Sequence, residues 1–156
     1  MPSEFALGEN SRKEIAEGLS HVLADTYTLY VKTQNYHWNV EGPRFRALHL
    51  MFEEQYTDLQ GAVDELAERI RALGEYAPGS FSRFGELSKV QQADGKPPAA
   101  EEMVSQLIAD NVTVSKGIKA VISTATEAGD DATVDLLSGR LATHEKAAWM
   151  LRAINK

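Results

Sequence analysis

Two pairs of potential metal ligands lie at helical spacing in the middle of the chain. His49 and Glu53 are four residues apart, as are Asp64 and Glu68, so each pair shares one face of a helix. At about 100° per residue, all four side chains fall within a stripe roughly 100° wide. Imidazole and carboxylate donors together suit iron, manganese, cobalt or zinc, whereas calcium and magnesium prefer oxygen alone. The pattern favours a transition-metal site.

The distance between the two pairs argues against a site built by one helix alone. Glu53 and Asp64 are eleven residues apart, which is about 16 Å along a helix. No single ion and no close pair of ions can be reached from both ends of that span. One chain therefore presents two half-sites. An antiparallel copy of the helix, related by a two-fold axis near Leu59, would bring the first pair of one chain to the second pair of the other. His37 could complete each site.

These residues also have simpler interpretations. Acidic pairs at helical spacing usually form a solvated helix face, and a lone histidine such as His21 or His144 is more often a surface or hydrogen-bonded core residue. The alignment of two histidines with three carboxylates is harder to attribute to chance. We therefore take metal binding as the hypothesis and assign no role to His21 and His144.

Ferritin-like bundles that hold a di-iron site within one subunit use a Glu-x-x-His motif. None of the four histidines here has glutamate three positions before it. The residues at those positions are Gly18, Gln34, Arg46 and Leu141. The site has to be built in another way, which agrees with a site shared between chains.

Four long segments with apolar residues at three- and four-residue steps are predicted to be the helices that position these side chains. The first is expected to begin at Ser11 and Glu14, which have capping-box spacing, and to end at Gly42-Pro43. Pro43 can also open the second, which closes at Gly74. The predicted buried stripe of the second helix consists of Phe45, Leu48, Phe52, Leu59, Val63, Leu66, Ile70 and Leu73.

The second half of the chain predicts two further helices. Residues 80–98 form a long connection with a short helix around Phe84–Val90, and the third long helix spans about Glu101–Glu127. Asp130 or Asp131 is expected to cap the fourth. The predicted fold class is all-α: a ferritin-like antiparallel four-helix bundle with a short helix in the long connection between helices 2 and 3.

The composition is that of one globular domain. The 156 residues suffice for a single core over 1–156, and residues 1–10 are predicted to be a short N-terminal tail. No apolar run reaches the roughly 18 residues of a membrane span, and the opening residues lack the features of a signal peptide. Cysteine is absent, which excludes disulfides and thiolate metal sites and fits a cytoplasmic location.

The segments that hold the candidate ligands resemble the family of DNA-protection-during-starvation (Dps) miniferritins. Residues 37–42, HWNVEG, followed by His49 and Glu53, are similar to the first signature of that family. Residues 63–69, VDELAER, are similar to its second, and the start of the fourth helix, DDAT at 130–133, also resembles the family. The resemblance covers nearly the whole chain.

By this resemblance the chain would assemble as a hollow dodecamer with ferroxidase sites at its two-fold interfaces. His37, His49 and Glu53 would come from one subunit, and Asp64 and Glu68 from its neighbour, as catalytic and metal-binding residues. Many members have aspartate where this chain has Glu53. The longer side chain can alter the spacing of the iron ions while it keeps the charge and the oxygen donors.

The activity that the resemblance implies is oxidation of Fe(II), preferably by hydrogen peroxide, followed by storage of ferric mineral in the cage and protection against oxidative damage. A pair of ferrous ions at one site can deliver both electrons to one peroxide, whereas a single ion would release hydroxyl radical. Zinc, manganese or cobalt can compete for the same donors.

Two further features have a role by resemblance and a simpler alternative. Trp38 adjoins His37 and can either intercept oxidising equivalents or serve as an interface aromatic. In the family, acidic residues near the start of the fourth helix line a pore for iron, and Glu127, Asp131 and Asp135 occupy the comparable stretch. Asp131 can instead be a helix cap.

DNA binding is not expected despite the name of the family. The net charge is −7, and residues 1–10 contain Glu4 and Glu9 but no lysine or arginine. The basic residues near the two ends of the chain are Arg12, Lys13, Arg152 and Lys156. A nucleoid-structuring protein and an assembly with a purely structural metal are the alternative function classes.

Overall fold

The computed structural model describes residues 6–156, which form five helices and contain no strand. The helices are α1 (Glu9–Asn39), α2 (Phe45–Ala72), α3 (Phe81–Leu87), α4 (Ala100–Ala128) and α5 (Asp131–Ile154). Short turns join α1 to α2 and α4 to α5, and the two helices of each pair pack side by side. α1 also packs on α4, and the short α3 lies on α1. The predicted four-helix bundle with a short helix in its long connection is confirmed.

The predicted start of the first helix was wrong. α1 begins at Glu9, where the backbone N–H of Arg12 donates to the carbonyl of Gly8, and Gly8, at the N-cap position, has no side chain that could cap the helix. Leu7 is buried in the core and brings the chain into the bundle before Ser11, so the capping-box spacing does not mark the boundary. Of the predicted tail, residues 1–5 lie outside the described residues.

Side-chain and backbone caps set the other boundaries. α3 begins three residues earlier than predicted because the Ser80 hydroxyl accepts a hydrogen bond from the Arg83 N–H. Gly129 ends α4 in the left-handed region at φ 79°, and the Asp130 N–H donates to the carbonyl of Ala125. The Asp130 carboxylate then caps α5, so of the two predicted caps it is Asp130 that acts.

The apolar stripe that the sequence predicted for the second helix packs in the core, with one exception. Seven of the eight residues predicted for the second stripe lie in or against the core. Phe45 is 43% exposed instead. It is the first residue of α2, where the helix has only just left the turn, and its ring stacks on His49 rather than entering the core.

Buried polar contacts tie the long connection to α1. The Lys32 ammonium lies 2.8 Å from a carboxylate oxygen of Asp110 and donates to the Gln91 carbonyl at 2.9 Å. Asp25 accepts a hydrogen bond from the Ser88 hydroxyl at 3.0 Å. Burial raises the pKa of both Asp25 and Asp110 above the ordinary value. The connection is thus fixed against the bundle at two points.

Across residues 6–156, no helix is both long and apolar enough to cross a membrane.

Candidate metal centre

His37 and His49 form a face-to-face pair where α1 and α2 meet. Their ring centroids are 3.9 Å apart and the ring planes differ by 11°. Each Nδ1 lies 2.7 Å from the backbone carbonyl oxygen of the other histidine. His37 comes from the last turn of α1 and His49 from the first two turns of α2, so the short turn between these helices creates the pair.

The reciprocal hydrogen bonds fix the chemistry of both rings. A carbonyl oxygen can only accept, so each Nδ1 must carry the proton and donate. In the neutral ring the lone pair then resides on Nε2, and no hydrogen bond found within residues 6–156 uses that atom in either histidine. Metal-binding histidines typically have one nitrogen held by a carbonyl or carboxylate in this way. The pair is therefore prepared to present two Nε2 donors.

Aromatic rings enclose the histidine pair on two sides. Phe45 stacks on His49 with centroids 4.9 Å apart, and Tyr56 meets His37 edge to face at 5.2 Å. His37 is only 7% exposed, whereas His49 is half-buried. These contacts hold both rings in place and limit the directions from which a metal ion can approach.

The predicted carboxylates lie on α2 with their side chains in solvent. Glu53 follows His49 by one helical turn, whereas Asp64 and Glu68 lie towards the other end of the helix. The three carboxylates are exposed in the single chain. Within residues 6–156 no three histidine or acidic residues come close enough together to hold a metal ion. The structure thus brings His37 and His49 together but leaves Asp64 and Glu68 apart from them.

The other predicted residues lie on the surface. Trp38 is 64% exposed, directly after His37. Glu127, Asp131 and Asp135 are exposed around the turn between α4 and α5. Their neighbour Asp130 differs, because it is buried and its carboxylate lies 2.8 Å from the Arg69 guanidinium. Asp130 is therefore a structural residue, whereas Glu127, Asp131 and Asp135 face solvent in the single chain.

The sequence indicated a hydrogen-bonded core position as one interpretation of His144, which is confirmed, but it did not predict the buried polar network around this residue. His144 donates from Nδ1 to the Asn111 side-chain oxygen at 2.9 Å and accepts from Arg140 at 3.2 Å. Arg140 also contacts the Asp58 carboxylate at 2.9 Å. Burial, together with the charge of Arg140, lowers the pKa of His144 to about 3. Both ring nitrogens of His144 are hydrogen-bonded, so this residue links α4 to α5 and has no ring nitrogen left to bind a metal.

Tyr56 was also missed, although its position carried a signal. It follows His49 by seven residues, which is two turns of α2, and so lies on the same helix face. Periodicity alone assigns such an aromatic to packing. Only the fold shows that the ring it packs against is His37.

Comparisons with known proteins agree with this architecture. A family model described as a ferritin-like domain matches residues 16–156. The DNA protection during starvation protein of Brevibacillus brevis is 40% identical over 139 residues, which cover 89% of this chain and 93% of that protein. A low temperature-induced protein of Nostoc sp. is 38% identical over 150 residues, covering 96% and 84% of the two chains.

A solved structure extends the agreement to the whole bundle. The crystal structure of a Dps protein from Vibrio cholerae, described as a member of a broad superfamily of ferritin-like diiron-carboxylate proteins, has a TM-score of 0.92 and 33% identity. The match covers 96% of this chain and 94% of that one. The fold and the matched domain define a ferritin-like protein. Within that class, the chain belongs to the Dps family.

Proposed function

We propose that this protein oxidises Fe(II) at sites shared between two subunits and stores the ferric product inside the shell that the subunits form. The histidine pair carries the proposal. Its mutual hydrogen bonds make donors of both Nδ1 atoms and leave both Nε2 lone pairs for a metal. The similarity to a ferritin-like diiron-carboxylate protein supports iron as the metal.

The proposed site combines donors from two chains. His37, His49 and Glu53 serve from one subunit, and Asp64 and Glu68 of the partner subunit complete the set. The exposure of all three carboxylates and the separation of the two half-sites along α2 support this arrangement. An isologous two-fold contact would form two equivalent sites for each pair of subunits. By likeness to the family, we extend the assembly to a dodecameric cage.

The donor set suits the reaction. Carboxylates are hard anionic donors that favour the ferric product, and imidazole suits iron in both oxidation states. A pair of ferrous ions loses one electron each to hydrogen peroxide; the O–O bond breaks, and two protons complete two water molecules. No radical leaves the site when both electrons arrive together. Zinc has no redox chemistry and should occupy the same donors as an inhibitor.

We assign iron access to the acidic turn between α4 and α5. Glu127, Asp131 and Asp135 are exposed there, and several copies around a symmetry axis would concentrate cations by their combined negative potential. DNA binding is not part of the proposal. Near the start of α1, Arg12 donates to the Leu73 carbonyl and Lys13 pairs with Glu9 at 3.2 Å, so both basic side chains already have partners.

Complementation between two inactive variants tests the shared site. One variant carries His37→Ala and His49→Ala, and the other Asp64→Asn and Glu68→Gln. Each alone should lose peroxide-dependent Fe(II) oxidation. In a mixed pair of subunits, the intact histidines of one chain meet the intact acids of the other at one of the two sites. Random co-assembly should restore about a quarter of the wild-type activity, because half the pairs are mixed and half their sites are intact.

The controls separate the possible outcomes. Mixing the two separately assembled variants without subunit exchange should restore nothing. Placing all four substitutions in one chain and co-assembling it with wild-type chains should leave only the sites built from wild-type pairs. A co-assembled mixture that stays inactive, although mass measurement shows mixed shells, would refute the shared site. Activity in the Asp64→Asn and Glu68→Gln variant alone would do the same.

A further inference from the structure

A continuous series of ring contacts runs from the histidine pair to the short helix α3. Tyr56 meets His37 at 5.2 Å between centroids, and Tyr30 meets Tyr56 at 5.9 Å. Tyr27 then meets Tyr30 at 5.8 Å. All three tyrosine contacts are edge to face, with interplanar angles of 65° to 83°. Tyr56 belongs to α2, whereas His37, Tyr30 and Tyr27 belong to α1, so the first two contacts of the series depend on how the two helices pack.

We infer that Tyr56, Tyr30 and Tyr27 form a tyrosine relay that removes single oxidising equivalents from the metal-binding histidines. The inference rests on the proposed function, which supplies Fe(II) and peroxide at His37 and His49. Tyrosine can lose one electron together with its hydroxyl proton, and the resulting phenoxyl radical can then oxidise the next phenol in contact. Successive rings in van der Waals contact give that transfer a short path.

The relay is needed when a site holds only one ferrous ion. That ion loses one electron to peroxide, the O–O bond breaks, and a hydroxyl radical would remain beside the ligands. Tyr56 instead gives up an electron and its hydroxyl proton. In balance, one Fe(II), one peroxide, one tyrosine and one proton yield one Fe(III), one tyrosyl radical and two water molecules. The radical then passes to Tyr30 and Tyr27 as each loses an electron and a proton and the preceding phenol is restored.

The surroundings of the histidine pair favour Tyr56 as the first acceptor. Phe45 stacks on His49 from the other side but has no hydroxyl and cannot hold the oxidising equivalent by losing a proton. Trp38 takes part in none of the ring contacts found within residues 6–156 and is 64% exposed. Tyr56 is therefore the readily oxidised ring that touches His37.

The three tyrosines of the relay differ from the buried Tyr36 in their surroundings. Tyr27, Tyr30 and Tyr56 are each half-buried in the single chain, so none of them is sealed in the core. The Tyr30 hydroxyl accepts from the Gln34 amide at 3.4 Å. Tyr36 provides the contrast: it is buried, its hydroxyl donates to Gln106, and burial raises its pKa to about 12. Tyr36 also takes part in none of the ring contacts found within residues 6–156, so it stands outside the relay.

The relay ends at Tyr27. Its ring stacks on Phe84 with centroids 4.7 Å apart, and phenylalanine cannot continue the series. Beside this stack lies a cavity of about 170 Å³ between α1 and α3, lined by Tyr27, Val31, Phe81 and Phe84 among others. A one-electron donor of the thiol or ene-diol class would return the Tyr27 radical to the phenol by giving it one hydrogen atom.

Spin trapping on the assembled protein tests the relay. The shell is loaded with less than one Fe(II) per site, mixed with peroxide and a nitroso spin trap, and the adducts are mapped by mass spectrometry. We expect adducts at Tyr27 in the wild type. In Tyr30→Phe, which keeps the ring packing, the Tyr27 adduct should be lost, the Tyr56 adduct should increase, and oxidation of His37 and His49 should rise.

Tyr76→Phe is the matched control, since Tyr76 is 87% exposed and lies outside the relay. It should reproduce the wild-type pattern. Fe(II) oxidation at saturating iron, measured on the same samples, reports the proposed function separately. If iron is oxidised but no tyrosine is trapped, or if trapping at Tyr27 persists in Tyr30→Phe, the relay is refuted and the ferroxidase stands. If the wild type oxidises no iron, both the relay and the proposed Fe(II) oxidation are refuted.

Discussion

Gly18 on α1 lies so close to Val121 on α4 that a β carbon at position 18 would be 2.8 Å from the Cγ2 atom of Val121. Val121 is buried and part of the core. Because a contact of 2.8 Å cannot be accommodated without movement, the absence of a side chain at position 18 sets how closely the two helices approach.

Replacing Gly18 by Ala should therefore lower the free energy of unfolding, by about 1–3 kcal/mol, as expected for overpacking in a core. The better helix propensity of alanine offsets at most about 1 kcal/mol of that loss. Urea denaturation of the assembled protein at fixed concentration measures the change. Val121→Ala in the same chain should recover part of it by removing both methyl groups. A Gly18→Ala variant as stable as the wild type would show that the helices can separate without cost.

The histidine pair predicts a variant that loses function while keeping its packing. His49→Phe retains a ring between His37 and Phe45 but removes both the Nε2 donor and the hydrogen bond to the His37 carbonyl. The Fe(II) oxidation rate should fall by about 100-fold, the upper end of what loss of an orienting partner alone produces. Stability should fall by only about 1 kcal/mol for the lost hydrogen bond.

His21→Gln is the control for that variant. His21 also donates from Nδ1 to a backbone carbonyl, that of Leu87, but lies apart from the pair. It should oxidise iron at the wild-type rate. Stopped-flow absorbance of ferric product gives the rates, and circular dichroism gives the stability. If His49→Phe oxidises Fe(II) at the wild-type rate, His49 is not a metal ligand.

The sequence was sufficient to predict the helices, whereas the assignment of the metal ligands stays a prediction. Apolar periodicity located four long helices because each has a buried face, and spacing along one helix was enough to separate His49 and Glu53 from Asp64 and Glu68. Element boundaries were less predictable. Ser11 has the right spacing from Glu14 for a capping box, but the burial of Leu7 places the start of α1 earlier in the sequence, at Glu9.

What could not be predicted was the geometry between elements. Periodicity shows which face a residue occupies but not how a turn places one helix end against another. The reciprocal hydrogen bonds of His37 and His49 depend on the turn at residues 40–44, and the contact of Tyr56 with His37 depends on the packing of α1 on α2.

The acidic turn between α4 and α5 predicts an effect on iron uptake rather than on oxidation itself. Asp131→Asn with Asp135→Asn removes two exposed charges while Asp130 keeps its ion pair with Arg69. Uptake at low ionic strength should slow by about tenfold, the lower end of what electrostatic focusing contributes, and salt should remove the difference. Glu145→Gln, an exposed site farther along α5, is the matched control and should not slow uptake. Equal uptake by both variants would locate the route elsewhere.

The buried histidine on α5 predicts how stability depends on pH. His144 has a pKa of about 3 in the folded protein, against an ordinary value of 6.5, because burial and Arg140 disfavour its charged form. Between those two pH values the unfolded chain binds a proton that the folded chain does not. The contribution of His144 to stability is therefore fully present above pH 6.5. It is lost as the pH falls towards 3, by about 1.4 kcal/mol for each pH unit.

His144→Gln isolates this contribution. The glutamine amide can donate to Asn111 and its oxygen can accept from Arg140, so both hydrogen bonds of the native ring can be reproduced without a titrating group. Urea midpoints of the wild type and the variant should be similar at pH 7.5 and should diverge at lower pH, with the variant the more stable. Carboxylates titrate in both proteins and cancel in the difference. Parallel stability curves from pH 7.5 to pH 4 would show that His144 gains a proton in the folded protein as readily as in the unfolded one.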